Sequence, residues 1–597
     1  DRSRSVFYLP RTKTFPLNSE IETLLTFTSN QPGPLVRSVA ASGEAVSLRQ
    51  HHSLVKLPDD GYAPRQADPR IGAFGPTFYD YATPIDQSLA VRWVARHRLE
   101  KKNPRAARSE PVEPIVYYLD RGVPDPVRSA LMEGAAWWNQ AFEAAGFIDA
   151  FRVEVLPEGV DPLDLRYNVI HWTHRSTRGW SYGGTVTDPR TGEILKGNVN
   201  LGSLRLRQDY LMGQGLTPLY GGRPDACGLG AGPAFEYLAE ISGETNPVEM
   251  ALARVRQLSA HEVGHTLGFP HNYIASTYGR ASVMDYPAPL VEIAPGGKLD
   301  LSNAYGVGIG EYDKLAVKWL YSDFPPGTDE KRALEDIVQE GLREGMRFMA
   351  HTDNAFVGAA HPLASVWDNG ADLVEGLKHE IEVRRLGLER FGPEVIRPGE
   401  PMASLEKVLV PLYLHHRFQL NAAVQSLGGA DYTYALSGDG QVPITIVPGD
   451  KQRETLEVVL STLAPEFLAL PERLLHMIPP PAYRMEAGET FAGHTGLTFD
   501  PLTAAAAAAQ FTASSILHPE RMARLAEFHS RNSEYPGLEE VLSRLVETTW
   551  KARVPSDPYV GEVQETAQRV VLDEMLKQAS SSENPASVRA VLTMAVE

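Results

Sequence analysis

Over residues 1–108, apolar and polar residues alternate in short runs, which is the period-2 pattern of β-strands. The runs with this pattern are 5–9, 21–28, 35–39, 45–49 and 89–99. Clusters of Pro, Gly and Asp separate the runs, and no long amphipathic helix is predicted among them. The pattern therefore predicts a β-rich accessory domain at 1–108.

From residue 109 the pattern changes to strands that alternate with helices. The predicted strands are 115–119, 151–156, 167–173, 183–187 and 193–200. Asp125 is the predicted N-cap of a first helix, with Pro126 in its first turn and Gly146 at its end. A second helix is predicted at 246–268, opened by an Asn-Pro pair. This order predicts an α/β domain with an internal long helix at 109–325.

Beyond residue 325 the apolar residues recur mainly at helical spacing. The predicted helices are 329–350, 372–391, 404–427, 454–468, 519–528 and 537–550, and a similar helix at 311–321 precedes them. A β-pair at 431–435 and 442–447 interrupts the helices, and the alanine run at 503–510 is predicted to be a packed helix. The region 326–597 is therefore predicted to be mainly α-helical, and the whole chain to be an α+β multi-domain protein.

Composition narrows the class of partner. At 597 residues the chain is too long for one hydrophobic core. Apolar residues make up 43% and charged residues 22%, as in folded soluble proteins. No apolar run approaches the ~18 residues of a membrane helix, so no transmembrane segment is predicted. The net charge of −18 argues against nucleic acid and anionic membranes as partners.

The single cysteine, Cys227, excludes a disulfide within the chain. We expect Cys227 to be a small loop or packing residue rather than a thiol that blocks a metal. The chain begins at Asp1 without a signal-peptide pattern. We expect an exported protein, extracellular or periplasmic, whose export signal is not present in this chain.

The segment 261–272 reads HEVGHTLGFPHN and has the spacing of a metal site. His261 and His265 are four residues apart, so a helix places both imidazoles on one face. Gly268 allows the chain to leave the helix sharply and to bring His271 round as a third ligand. Glu262 lies beside the first ligand, where it can deprotonate a bound water. Three protein ligands leave one position open, which is typical of a catalytic zinc site.

A second motif, SVMDYP at 282–287, follows at a short distance. Together with the histidine motif it resembles the metzincin metallopeptidases, which pair such a helix with a downstream methionine turn. The strand region GGTVTDPRTGEIL and the helix EYDKLAVKWLY extend this resemblance over about 115–321. The architecture resembles that of large bacterial secreted zinc-dependent metalloproteases with uncharacterised flanking domains. Asn272 departs from the pattern, since several metzincin families carry an acid or Ser there.

The resemblance implies the roles of the site residues. One Zn²⁺ ion would be held by the three histidines of the motif, with Met284 as an apolar floor beneath them. Glu262 would act as general base on a zinc-activated water and then as proton donor to the leaving amine. Tyr286 corresponds to a tyrosine that stabilises the intermediate in some metzincins. Its alternative role is that of a packed aromatic with a hydrogen-bonded hydroxyl.

The resemblance also implies how a substrate binds. Metzincins have a mostly parallel sheet with one antiparallel edge strand along the cleft, and the strand at 183–187 is the candidate. Gly184, Thr185 and Val186 would pair with an extended peptide by strand addition, although an ordinary hairpin is an equally good interpretation of this strand. Pro287 would form part of the wall of the pocket for the side chain just beyond the cut bond.

The resulting prediction is a zinc-dependent metalloendopeptidase that acts on a protein or peptide. One alternative is a zinc-dependent hydrolase of a non-protein amide or ester. Another is a catalytically inactive interaction protein in which zinc only stabilises the fold, and Glu262 argues against it because a structural site needs no general base. The sequence leaves open the substrate preference, the oligomeric state, a structural Ca²⁺, and whether 1–108 is a prodomain or a permanent module.

Overall fold

The chain begins with an antiparallel sheet of four strands. The computed structural model describes residues 1–176, 179–218, 247–350, 356–484 and 488–597. The strands are β1 (Val6–Phe7), β2 (Lys13–Thr14), β3 (Asn18–Thr28) and β4 (Ala45–Val55). The full length of β3 pairs with β4, while β1 and β2 share its other edge. The predicted β-rich character of the N-terminal region is confirmed.

The strand predicted at 35–39 is wrong, because these residues form the helix α1 (Pro34–Val39). Pro34 occupies the first helical position, where its fixed φ favours a helix and its missing N–H is not needed. The side chains of Leu35 and Val39 stay exposed, so no neighbouring strand rewards an extended backbone here.

Residues 56–101 cross from this sheet onto the central part of the molecule. They contain a short hairpin, β5 (Thr77–Tyr79) and β6 (Ala90–Arg92). Ile71, Val94 and Leu99 are buried in the same hydrophobic core as the central sheet. The boundaries drawn at 108 and 325 from the sequence stay a prediction.

The central sheet is mixed, as predicted. Its strands are β7 (Ile115–Leu119), β8 (Phe151–Val155), β9 (Asn168–Thr173), β10 (Tyr182–Thr187) and β11 (Ile194–Gly202). They lie in the order β10-β11-β9-β7-β8, and all neighbours are parallel except β10 and β11. The antiparallel strand β10 therefore forms one edge of the sheet.

The first predicted helix of this region is two helices, α2 (Val127–Ala136) and α3 (Trp138–Ala144). The N–H of Trp137 bonds to the carbonyl of Gly134 at 3.2 Å, three residues back, and this tighter turn ends α2. The predicted cap is also wrong. The carboxylate of Asp125 accepts the hydroxyl of Ser129 at 2.9 Å instead of a backbone N–H, and the helix begins one residue after Pro126.

The long helix α5 (Pro247–Thr266) packs between other elements of the central region. It contacts α2, the strands β10 and β11, and a helix that the sequence pattern did not predict, α4 (Leu204–Leu216). A Cβ on Gly134 would lie only 1.9 Å from the backbone oxygen of Arg256, so the glycine lets α2 and α5 approach closely. Cys227 and the predicted cap residue Asn246 lie outside the described residues.

The rest of the chain is mainly helical, as predicted. Its helices are α6 (Glu311–Tyr321), α7 (Glu330–Arg343), α8 (Leu373–Arg390), α9 (Ser404–Tyr413), α10 (Arg417–Val424), α11 (Gly449–Ser461), α12 (Pro465–Leu468), α13 (Glu472–Leu475), α14 (Pro501–Ile516), α15 (Pro519–Arg531), α16 (Leu538–Thr549), α17 (Pro558–Ser580) and α18 (Ala586–Val596). Two short β-pairs accompany them, β12 (Glu292–Ile293) with β13 (Leu299–Asp300) and β14 (Ala430–Tyr432) with β15 (Ile444–Ile446).

Some of these helices differ from the predicted ones. The helix predicted at 404–427 is broken into α9 and α10, and Pro411, which has no N–H to donate, lies just before the break. The helices α17 and α18 were not predicted. Most of these elements share a second hydrophobic core, which also includes Leu216 and Met250 from α4 and α5. Among the described residues, no helix combines the length and the apolar character that a membrane crossing requires.

Replacement of Gly134 by Ala tests the contact between α2 and α5. We expect Gly134→Ala to destabilise the protein by about 1–3 kcal/mol, because the added methyl group forces the backbones apart. Gly561→Ala in α17 is the matched control, since no atom lies within 4 Å of its Cβ position. The control should be neutral or stabilising, as alanine is the better helix former. Calorimetric melting temperatures would show this, and equal melting behaviour of the two variants would contradict the close contact.

Candidate metal centre

The three histidines of the motif meet at one point. The Nε2 atom of His271 lies 3.1 Å from the Nε2 atoms of both His261 and His265. Nitrogens bound at about 2.0–2.1 Å to a tetrahedral zinc ion lie about 3.3 Å apart, which is close to this spacing. Among the described residues, this is the cluster whose ligand atoms can share a metal ion.

Backbone carbonyls orient two of the imidazole rings. The Nδ1 atom of His261 is 2.7 Å from the carbonyl of Val283, and that of His265 is 2.8 Å from the carbonyl of Phe269. Since Nδ1 donates to a carbonyl, the lone pair of Nε2 is directed to the shared point. Burial lowers the pKa of His261 well below its ordinary value, so this imidazole is in the neutral form that binds metals.

Gly268 makes the turn between the second and third histidines. Its φ is +104°, a conformation that other residues rarely adopt. A Cβ at this position would lie 2.1 Å from the carbonyl oxygen of Ala95, in the segment that crosses from the N-terminal region. The N–H of Phe74 in the same segment donates to the carbonyl of Gly268 at 2.8 Å. The turn therefore requires glycine for its conformation and for its contact.

Met284 is buried beside α5. A Cβ on Gly264 would be 2.3 Å from the sulfur of Met284 and 2.6 Å from the indole of Trp138. The indole Nε1 of Trp138 donates to the carbonyl of Ala260 at 2.7 Å, which fixes the ring against α5. The methionine thus packs directly against the helix that carries the first two histidines.

Glu262 is buried next to the histidine cluster. Its carboxylate accepts the N–H of Gly183 in β10, while Oε2 has no hydrogen-bond partner among the described residues. Burial raises the pKa of Glu262 to about 8, and the positive charge of Arg254 opposes that rise. A buried oxygen without a partner is rare and is expected where a ligand or water binds.

Tyr286 lies flat against the cluster. Its ring centroid is 4.3 Å from that of His261 and 4.7 Å from that of His271. On its other side the ring stacks on Trp367 at 5.1 Å with an interplanar angle of 12°. The ring therefore touches two of the three candidate ligands. Burial raises the pKa of the hydroxyl, so it stays protonated at neutral pH.

Three of the four residues predicted to bind substrate lie in β10, and the fourth follows the methionine turn. Gly184, Thr185 and Val186 are in the edge strand β10, where Gly184 and Thr185 are exposed. The preceding residue, Gly183, touches α5 so closely that a Cβ would lie 2.2 Å from the backbone oxygen of Glu262. Pro287 is half-buried and lines a cavity of about 580 Å³ behind the methionine turn.

Comparison with known families agrees with this geometry. A family model described as Met-zincin matches residues 243–556, which is more than half of the chain. The chain belongs to the Met-zincin family. A second model, a domain of unknown function (DUF5117), matches residues 1–102. No curated protein and no solved structure matches the chain. The family match and the histidine cluster together support the general class of zinc metallopeptidases for this chain.

In this Met-zincin, Asn272 connects the third histidine to the methionine turn. Its N–H donates to the carbonyl of Met284 at 3.1 Å. Its side-chain amide donates to the carbonyl of Arg347 at 2.9 Å and accepts the N–H of Met349 at 2.9 Å. An amide can both donate and accept, as these contacts require, whereas a carboxylate can only accept. An asparagine at position 272, where several metzincin families carry an acid or Ser, is therefore suited to these contacts.

Asp313, which the sequence analysis did not single out, anchors the methionine turn of the Met-zincin. This buried residue of α6 accepts the hydroxyl of Ser282 at 2.6 Å and the N–H of Val283 at 2.8 Å. It also accepts the N–H of Gly310 at 3.0 Å. The carbonyl of Val283 in turn orients His261. In the sequence, Asp313 is recognisable only as an acidic residue in the first turn of the predicted helix at 311–321. The fold shows which backbone N–H groups its carboxylate binds.

The protonation of Asp313 should make stability depend on pH. Burial raises the pKa of Asp313 from 3.8 to about 7, so the folded protein holds the proton more tightly than the unfolded chain. The contribution of this proton to the free energy of unfolding is complete below about pH 4 and is lost as the pH rises through about 7. We expect the melting temperature of wild type minus that of Asp313→Asn, which cannot titrate, to be larger at pH 5 than at pH 8. A difference that is constant or grows with pH would contradict the assignment.

Proposed function

We propose that this Met-zincin is a zinc-dependent metalloendopeptidase that cuts protein or peptide chains. The observation that carries the proposal is the convergence of three histidine ligand atoms, all within 4.8 Å of one another, beside a buried carboxylate with a free oxygen. A metal site that only supports a fold needs four protein ligands and no neighbouring base. This set of three ligands with a base is typical of a site that binds and cleaves a substrate.

His261, His265 and His271 would hold one Zn²⁺ ion. The donor set fits, because imidazole nitrogen is a preferred zinc ligand and the rings already converge. When bound, zinc supplies Lewis-acid polarisation of the scissile carbonyl and favours ionisation of water. The chain itself has to position the substrate and transfer the protons.

Glu262 would carry the proton. Its free Oε2 can accept the proton of the attacking water, and the same carboxyl can deliver it to the leaving amine. The N–H of Gly183 holds the carboxylate next to β10, the strand along which the substrate would lie.

Tyr286 would stabilise the charge that develops on the substrate oxygen. Its position against His261 and His271 brings a protonated phenol to the edge of the cluster. A hydrogen-bond donor held by packing loses little entropy when the transition state forms. Stacking on Trp367 provides such packing.

The exposed edge of β10 would bind the substrate backbone. Gly184, Thr185 and Val186 pair with β11 on one side, and β10 is the last strand of the sheet on the other. An extended peptide could therefore add a strand there, with Pro287 beside the residue that follows the cut bond. Export of the protein stays a prediction from the sequence.

A digestion experiment tests this function directly. The purified protein would be incubated with a peptide library, with and without a chelator, and products would be read by mass spectrometry. Cleavage that the chelator abolishes and added zinc restores would support a peptidase. If peptides stay intact while small amides or esters are hydrolysed, the alternative non-protein substrate is correct. Stoichiometric zinc without any hydrolysis would favour an inactive, zinc-stabilised interaction protein.

The general base is tested by Glu262→Gln. We expect hydrolysis to fall by at least about a hundredfold, because the amide cannot take a proton from water. Zinc content should stay at one ion per chain, since the three histidines are unchanged. Atomic absorption and peptide hydrolysis would measure the two quantities. Near-normal activity of this variant would contradict the mechanism.

Tyr286→Phe separates catalysis from packing. We expect kcat to fall by roughly a hundredfold, as with loss of one transition-state hydrogen bond, with KM little changed. The ring and its stacking on Trp367 remain in this variant, so the melting temperature should hold. An unchanged kcat would assign Tyr286 a packing role only.

A further inference from the structure

Two arginines meet beside the candidate metal centre, at the contact between α4 and α5. Arg205 on α4 binds the buried carboxylate of Asp209, with its Nε 3.0 Å from Oδ2 and its Nη2 2.9 Å from Oδ1. Arg254 on α5 faces the same group and is fully buried. One carboxylate therefore faces two guanidinium groups, although the chain as a whole carries a net charge of −18.

Arg254 lacks the partners that a buried charge needs. Its Nε and Nη1 atoms have no hydrogen-bond partner among the described residues. Its contacts are with aromatic faces, because the guanidinium carbon lies 5.8 Å from the ring centre of Tyr305 and 5.6 Å from that of Trp367. A buried guanidinium with unsatisfied N–H groups is strongly unfavourable unless an anion joins it.

Trp367 connects this arginine pair to the reaction centre. The guanidinium carbon of Arg205 lies 5.2 Å from the Trp367 ring, whose opposite neighbour is Tyr286. The N–H of Trp367 also donates to the carbonyl of Tyr286 at 2.7 Å. Trp367 has a φ of +65°, an unusual value for a bulky residue and one that occurs mostly at functional sites.

A cavity of about 130 Å³ opens onto Arg205 and Trp367, while Arg254 is buried next to them and is not part of the lining. Its walls also include the pair Ala288–Pro289, which follows Pro287 in the chain, although Pro287 itself lines the larger cavity. Glu380 also lines the cavity, but its carboxylate lies 2.6 Å from Nε2 of His415 and so has a partner. Arg417 adds a further positive charge to the lining.

We propose that Arg205 and Arg254 form a carboxylate-recognition pocket that selects the residue just after the cut bond. The enzyme would prefer a substrate that has an acidic side chain or its free C-terminal carboxylate there. This inference rests on the proposed peptidase function. Guanidinium groups recognise carboxylates by paired, charge-assisted hydrogen bonds, and Arg254 has two N–H-bearing nitrogens available for them.

The test uses peptides that differ only in the residue after the cut bond, which is Glu, Gln or Lys. Each is made with a free and with an amidated C-terminus, and a shorter set ends at this residue. For wild type we expect kcat/KM to be at least about tenfold higher for Glu than for Gln, and lowest for Lys. A preference confined to free, short peptides would identify the C-terminal carboxylate as the ligand instead of the side chain.

Arg205→Gln should reduce the preference for Glu over Gln, measured as the ratio of the two kcat/KM values, to about twofold or less. Arg207→Gln removes the same charge from an exposed position of the same helix and should keep the preference. Arg254→Lys retains the positive charge but cannot make paired hydrogen bonds to a carboxylate, so this variant should show a weaker preference for Glu over Gln.

A binding measurement separates this inference from the peptidase function itself. Glu262→Gln protein would be titrated with the Glu and Gln peptides by calorimetry, and the Glu peptide should bind about tenfold more tightly. If no peptide is cut but the binding preference is present, the peptidase proposal fails while the pocket stands. Cutting or binding without a preference for the carboxylate, or a preference that Arg205→Gln leaves intact, overturns the pocket.

Discussion

The structure depends on holding three imidazole rings with their Nε2 atoms directed at one point. Nε2 of His271 lies 3.1 Å from Nε2 of each of the other two histidines, and the surroundings of the rings hold this arrangement. The carbonyls of Val283 and Phe269 fix the rings of His261 and His265 through Nδ1, and the ring of Tyr286 packs against His261 and His271. Preorganisation of this kind lets a metal bind without a large loss of conformational entropy.

That arrangement is supported from outside the motif. Asp313 fixes the turn that carries Val283, and Asn272 ties the same turn to the third histidine. Both are buried polar residues whose side chains bond mainly to backbone groups. Such bonds make the relative position of distant chain segments specific, because a shift would leave buried N–H groups without partners.

The sequence predicted well what depends on local spacing. The histidine motif, the strand β10 and the helix α6 follow from short-range periodicity and were located closely. The helix α4 was missed because its apolar residues do not follow a helical period and it contains Gly213 and Gly215. The neighbours of Arg254 could not be predicted either. Helical spacing puts Arg254 on the face of His261, but the groups that meet it come from distant segments.

The segment at 56–101 is packed into the central part of the molecule. Ile71, Val94 and Leu99 belong to the core of the central sheet, and Ala95 lies against the turn at Gly268. The ring of Phe74 also lies 5.8 Å from that of His265. Proteolytic removal of this segment would expose apolar surface and release the end of α5. Loss of the whole N-terminal region, as in the activation of a zymogen, would therefore also remove part of the core of the central sheet.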